Sequence, residues 1–128
     1  MVAGGIRSYR DLEVWQKGMD LAAACYRATA KFPDQERYGL VSQLQRAAVS
    51  VPANIAEGQA RQHTKEFLQF LSVACGSLAE VETYLLLTIR LGYLSQEDTD
   101  KLLEQTTQIG KMLTNLRKAL RNRMSANH

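Results

Sequence analysis

Residues 64–91, TKEFLQFLSVACGSLAEVETYLLLTIRL, decide how the chain folds. Phe67, Leu71, Ala74, Leu78, Val81 and Leu85 recur at alternating four- and three-residue steps, the spacing that places side chains on one face of an α-helix. Gly92 follows as a natural left-handed C-terminal residue, so the stretch predicts one helix over 64–91. Its apolar surface exceeds one seam. Phe70, Val73, Tyr84 and Leu91 flank the seam on one side and Leu68, Cys75, Leu86 and Tyr93 on the other. The polar arc narrows to Lys65, Gln69, Ser72, Thr83 and Arg90. A helix this apolar needs more cover than the neighbours of one small bundle supply, and the expectation is a subunit interface.

Working outward, three more helical segments appear. Towards the N-terminus, residues 35–58 carry Leu40, Leu44, Ala47, Ala48, Val51 and Ile55 on one face, with Gly58 at the expected end. Pro52 removes one hydrogen bond and crowds the carbonyl of Ala48, so a proline kink at 50–53 is expected within a single helix. Further back, Ser8 with Asp11 three residues on has the form of a capping box. Leu12, Trp15, Met19, Ala22 or Ala23, Tyr26 and Ala30 then predict a helix over 9–31 with that face inward, ended by Phe32-Pro33. On the C-terminal side, Ser95 followed by Gln96, Glu97 and Asp98 reads as a helix start. Leu102, Thr106, Ile109, Leu113, Leu116 and Leu120 continue it over 96–122.

With 128 residues, 45% of them hydrophobic, and no linker or low-complexity tract, the chain reads as one domain spanning 1–128 that needs neither disulfide nor metal. Four amphipathic helices on short connections fold most simply as an all-α, up-down-up-down antiparallel four-helix bundle. The charged opening, with Arg7, Arg10, Asp11 and Glu13, lacks the apolar core of a signal peptide, and no run of apolar residues is free of charge for a membrane-spanning length. A cytoplasmic protein with no membrane role is expected.

The chemistry-bearing motifs of such bundles do not occur. No glutamate is followed three residues later by histidine, the pairing that builds di-metal centres in bundle cores. Zinc-ligand spacings and phosphate-binding glycine loops are likewise missing. His63 lies near a helix start and His128 is the last residue; both are expected in solvent. Cys25 and Cys75 sit among apolar neighbours as small core residues. No metal, no cofactor and no enzymatic activity are expected.

Two polar features stand out. Along the second helix Arg46, Ser50, Asn54 and Glu57 share one side next to the proline, where a donor is needed for the freed Ala48 carbonyl; a structural polar network is expected there. Arg46 is expected to reach Glu80 or Glu82 on the next helix. The second feature is charge. Residues 105–128 hold five of the 16 Lys and Arg, namely Lys111, Arg117, Lys118, Arg121 and Arg123, and none of the 13 acids, so a net charge of +3 conceals a cationic end and an acidic remainder. Helix-dipole complementation accounts for part of this; repeated around an oligomer, the same patch would bind RNA or DNA phosphates without sequence preference. No aromatic is interleaved, so base stacking has no basis. A protein-interaction scaffold or accessory subunit with no nucleic-acid contact is the alternative.

The runs YRDLEVWQK (9–17), FPDQERYGL (32–40), QLQRAAVSVPANIAEG (43–58) and EFLQFLSVACGSLAEVETYLLL (66–87) followed by LGYL (91–94) resemble a bacterial family found as reading frames within 23S ribosomal RNA intervening sequences. The family also includes the accessory proteins of diversity-generating retroelements. The resemblance implies an up-down four-helix bundle, a ring-like homopentamer and no known catalytic activity. For the retroelement branch it further implies a basic surface for nucleic acid and a reverse transcriptase partner.

Overall fold

The computed structural model describes residues 8–126; residues 1–7, with Arg7, and residues 127–128, with His128, lie outside the described residues. Within them all regular structure is helical, in four α-helices: α1 Glu13–Thr29, α2 Leu40–Ala60, α3 Thr64–Leu91 and α4 Gln96–Ala126. Each packs on its neighbours in the chain and α1 closes on α4, with no contact across either diagonal. Cross-helix partners follow a consistent register. Gln43 meets Tyr84 while Ser50 meets Ser77, and Glu82 meets Thr106 while Ser72 meets Arg117. Residue numbers rise along one helix as they fall along its neighbour, the pairing that a bundle on short connections requires.

The Ser8 capping box forms, with Ser8 Oγ accepting from the Arg10 N–H at 3.1 Å and Asp11 Oδ2 accepting from the Ser8 N–H at 3.2 Å. It caps only a 3-10 turn, Tyr9–Asp11. Leu12 is extended (φ −78°, ψ 122°), so α1 begins at Glu13 and not at residue 9. The inward face of α1 also differs from expectation. Val14, Gly18, Leu21, Cys25 and Thr29 are buried, whereas Met19 and Tyr26 are about half exposed. Both stripes recur at helical spacing, and Leu12, Trp15 and Ala22 of the expected one are partly buried against the core. A Cβ on Gly18 would stand 3.3 Å from the Cβ of Pro52, so glycine suits the close approach of α1 to α2 on this side.

Asp34–Glu36 form a second 3-10 turn in place of the expected start of α2, and the Glu36 carboxylate accepts the Leu40 N–H at 3.2 Å. Thus α2 starts at Leu40. It runs unbroken through Pro52 and past Gly58, which is not its terminal residue. Gly58 instead admits α3: a Cβ there would lie 2.7 Å from Phe70 Cβ and 2.9 Å from Phe67 Cδ1. The reversal into α3 falls to Gln62, at φ 61°, and the extended His63.

α3 spans the expected residues and ends on Gly92 at φ 75°, with the Tyr93 N–H returning to the Thr88 carbonyl at 3.0 Å. Leu71, Ala74, Ser77, Leu78, Val81, Leu85 and Thr88 are buried between α2 and α4. The helix is long and apolar enough to cross a membrane by length and composition alone. Glu80 and Glu82 in its middle, and its packed inward face, are those of a core helix. Its outward side stays apolar: Val73, Leu86, Leu87 and Leu91 are each between 41% and 52% exposed. Ser95 Oγ accepts the Asp98 N–H at 3.0 Å to start α4, which continues to Ala126, beyond the expected 122.

Candidate nucleic-acid interface

α4 is divided by charge along its length. Its first turns carry Glu97, Asp98, Asp100 and Glu104, partly neutralised by Lys101 on Glu97 at 3.9 Å and Lys31 on Asp98 at 3.1 Å. After Glu104 the described residues of the helix contain no acid. Lys111 and Lys118, two turns apart on one face, are exposed, as are Arg121 and Arg123. None of these four makes a hydrogen bond, ion pair or ring contact among the described residues.

Arg117 behaves differently. It is partly buried against α3, donating from Nη1 to Cys75 Sγ at 3.5 Å and from Nη2 to Ser72 Oγ at 3.3 Å, with Nε buried and unpartnered. The structure therefore brings four of the five expected cations to the surface and turns the fifth onto a neighbouring helix.

The fold adds residues that a linear reading did not connect to this patch. Arg123 shares a cleft of about 270 Å³ with His63 and Thr64, so the α2–α3 connection lies at the same end of the bundle as the close of α4. That connection contributes Arg61 and, just inside α3, Lys65. Arg61 is held: Glu57 accepts from it at 2.9 Å, which raises its pKa, and its guanidinium sits 5.2 Å from the Phe70 ring centre. His63 and Lys65 are exposed. Sequence could have signalled this only through the up-down order, which folds residues 61–65 back to the level of Arg123.

The expected polar network exists in part. Ser50 Oγ and Ser77 Oγ are 2.7 Å apart, and the Asn54 amide donates at 2.8 Å to both the Ser50 hydroxyl and the Ser50 carbonyl. The donor thus reaches Ser50 and not Ala48, and the α3 partner is Ser77, a buried hydroxyl that sequence did not single out. The remaining members go elsewhere. Glu57 takes Arg61, Glu82 accepts the Thr106 hydroxyl at 3.0 Å, and Glu80 meets Tyr84 Oη at 3.5 Å. Arg46 forms no ion pair with Glu80 or Glu82; it is exposed and lines a hollow with Tyr26 and Val49, on the flank of α2 towards α1.

Among the described residues no group of three or more His, Cys, Asp or Glu is placed to hold a metal ion. Burial pushes the Cys25 thiol up to about 12, which leaves it protonated and unreactive near neutral pH. Cys75, expected as a core residue, is only partly buried, beside Arg117.

An all-helical bundle of four helices, with an acid-free cationic stretch in the second half of α4 among the described residues, defines the class. The particular family follows from comparison: residues 10–115 match the family of 23S rRNA-intervening sequence proteins, and the chain belongs to it. A solved structure, a protein with unknown function from the S23 ribosomal protein family of Bacteroides thetaiotaomicron, is similar at 27% identity and a TM-score of 0.74 over 82% of this chain and 98% of that one. Neither match concerns the retroelement accessory proteins. No curated protein matches the chain.

Proposed function

We propose that the protein is a non-enzymatic, cytoplasmic homo-oligomer, pentameric as the family resemblance implies, that associates with structured RNA through its phosphates. The observation that carries this reading is the second half of α4, where Lys111, Lys118, Arg121 and Arg123 project without a partner among the described residues and without an acid among them. Cations that hold structure acquire partners, as Arg117 and Arg61 do here; cations left free are available to an external polyanion. A ring repeats each modest patch and raises its effective concentration on one nucleic acid. Association with RNA also accords with the family's link to ribosomal RNA genes.

Filter binding of a structured ribosomal RNA fragment, titrated with salt, tests the proposal. Retention at about 50 mM salt should fall steeply by about 200 mM. Lys111→Ala, Lys118→Ala and Arg121→Ala should each weaken binding uniformly across RNA sequences and reduce the logarithmic salt slope by about 1. No retention at the lowest salt overturns the reading in favour of a protein-interaction scaffold, which the half-exposed apolar residues of α1 and α3 support.

A further inference from the structure

Two apolar surfaces are left uncovered on different sides of the bundle, and each carries one charge of opposite sign. On the outside of α3, Val73, Glu80 and Leu87 lie seven residues apart and so share one stripe, which Leu91 extends; the three apolar members are each about half exposed, and Glu80 is exposed with only the long contact to Tyr84. On the α1–α2 side, Tyr26 of α1 shares a hollow with Val49 of α2, and Met19 lies two turns from Tyr26 along α1, all three about half exposed. Of the residues lining the hollow of about 410 Å³ between Tyr26 and Val49, Arg46 alone is charged. Arg46 and Glu80 thus face outward without pairing with each other or with any other charge among the described residues.

We infer that a second copy of this chain is the occupant: the α3 stripe of one copy seats on the α1–α2 face of the next, with Glu80 of the first paired to Arg46 of the second. This rests on the oligomeric reading above and specifies its contact. Charge complementarity selects the head-to-tail arrangement. If two α3 stripes met about a two-fold axis near their middle, Glu80 would oppose its own copy, with no base in the stripe to neutralise it, and like charges juxtaposed across an interface are strongly unfavourable. An acid-bearing stripe on a base-bearing face removes that conflict. It uses two different surfaces of the same chain, so the contact is heterologous and repeats from copy to copy, forming a ring where the rotation closes. It also covers Met19 and Tyr26, the half-exposed members of an α1 stripe whose Leu12, Trp15 and Ala22 already pack on the core of their own bundle.

Charge reversal tests the pairing. In multi-angle light scattering at micromolar concentration, the wild type should give a mass well above 14.3 kDa. Arg46→Glu and Glu80→Arg should each weaken association about tenfold or more, and the double reversal should restore the wild-type mass. Both side chains are exposed, so helicity by circular dichroism should be unchanged; if either reversal lowers it, Arg46→Gln and Glu80→Gln carry the same test with a smaller loss. A wild type of 14.3 kDa overturns the oligomeric reading itself and leaves both faces to a different protein. A wild-type oligomer that neither reversal weakens, or that the double reversal fails to restore, overturns only this contact.

Discussion

The two ends of the bundle use charge in opposite ways. Where the α1–α2 and α3–α4 connections meet, charged groups are tied into the chain. Glu36 accepts from Tyr93 Oη at 2.7 Å and from the Leu40 N–H at 3.2 Å, Lys31 reaches Asp98 at 3.1 Å, and the Phe32 and Tyr93 rings lie 5.5 Å apart beneath them. At the other end, where the α2–α3 connection lies beside the close of α4, Lys118, Arg121 and Arg123 have no partner among the described residues. At the first end charge fastens loops; at the second the backbone is secured by apolar contact under Gly58 and by the Arg61–Glu57 pair, and the cations of α4 are left over. The contrast separates structural from available charge without reference to any ligand.

The largest effect should come from disturbing the apolar contact that secures the cationic end. Gly58→Val places a Cβ where Phe70 Cβ would stand 2.7 Å away and Phe67 Cδ1 2.9 Å away. Replacing glycine in a helix interior gains helix propensity, up to about 1 kcal/mol for alanine and less for a β-branched residue, but overpacking a fixed contact costs about 1–3 kcal/mol and the branched side chain adds to it. The overlap with Phe70 involves an atom bonded to the backbone, so α3 must move. Denaturant unfolding should show a net loss of about 1–3 kcal/mol. RNA binding should also fall, since His63 and Lys65 move with that connection. Unchanged stability would mean that α2 and α3 separate here at no cost and that the cationic end is not held by this contact.

A smaller effect should appear at the other end, as a dependence on pH. The hydrogen bond from Tyr93, then that from the Leu40 N–H, holds the Glu36 carboxyl below its ordinary value; the hydrogen bond and charge of Lys31 do the same for Asp98. Groups depressed on folding contribute stability that is present above their unfolded pKa of about 4 and is lost as pH falls through the folded value. Tyr93 is displaced upward, chiefly by its hydrogen bond to Glu36. Its contribution is present below the unfolded value of about 10 and is lost as pH rises through the folded one. One hydrogen bond therefore gives both an acid and an alkaline limb. In thermal melts Tyr93→Phe, which keeps the ring against Phe32, should weaken both limbs, with the buried Cys25 thiol sustaining part of the alkaline one and the Leu40 and Lys31 contributions part of the acid one. Lys118→Ala should leave both limbs as they are; a change there would erase the distinction between the two ends.

What sequence disclosed and what it withheld follow from the range of the interactions involved. The extent of α3, its glycine stop and the Ser95 start are local devices, and all three stand where periodicity and capping placed them. The Ser8 capping box was equally legible, but the extended Leu12 after a single turn was not. In α1 the stripe through Met19 and Tyr26 and the stripe through Val14, Leu21 and Cys25 have the same period. Which members of each are covered is settled by contacts between helices, such as the approach of Gly18 to Pro52. The same limit governs the sites. The acid-free second half of α4 is plain in the sequence, yet which of its cations stays in solvent depends on where α3 lies. Arg117, which rests on α3, and Arg46, which makes no ion pair with Glu80 or Glu82, show why: each flanks its own helix, and the neighbour on that flank decides its contacts.

Arg117 supplies the finest test of the division between structural and available charge. On the helix it falls among the exposed cations by number but not by position, since its guanidinium rests on Cys75 and Ser72. Arg117→Met keeps the aliphatic stem. It gives up two long hydrogen bonds, at about 0.5–1.5 kcal/mol each, while removing a buried unpartnered Nε whose burial costs about 1–3 kcal/mol. The net change in stability should lie within about 1 kcal/mol. The RNA salt slope should also be unaltered, whereas Lys118→Ala, which removes the same formal charge one residue away, should reduce it by about 1. Net charge alone treats the two substitutions alike, so a difference between them measures what the side chain's position contributes. Equal slopes for the two variants would mean that Arg117 swings out from α3 to meet phosphate, and the cationic end would then gain a fifth contact at the expense of the Cys75 and Ser72 hydrogen bonds.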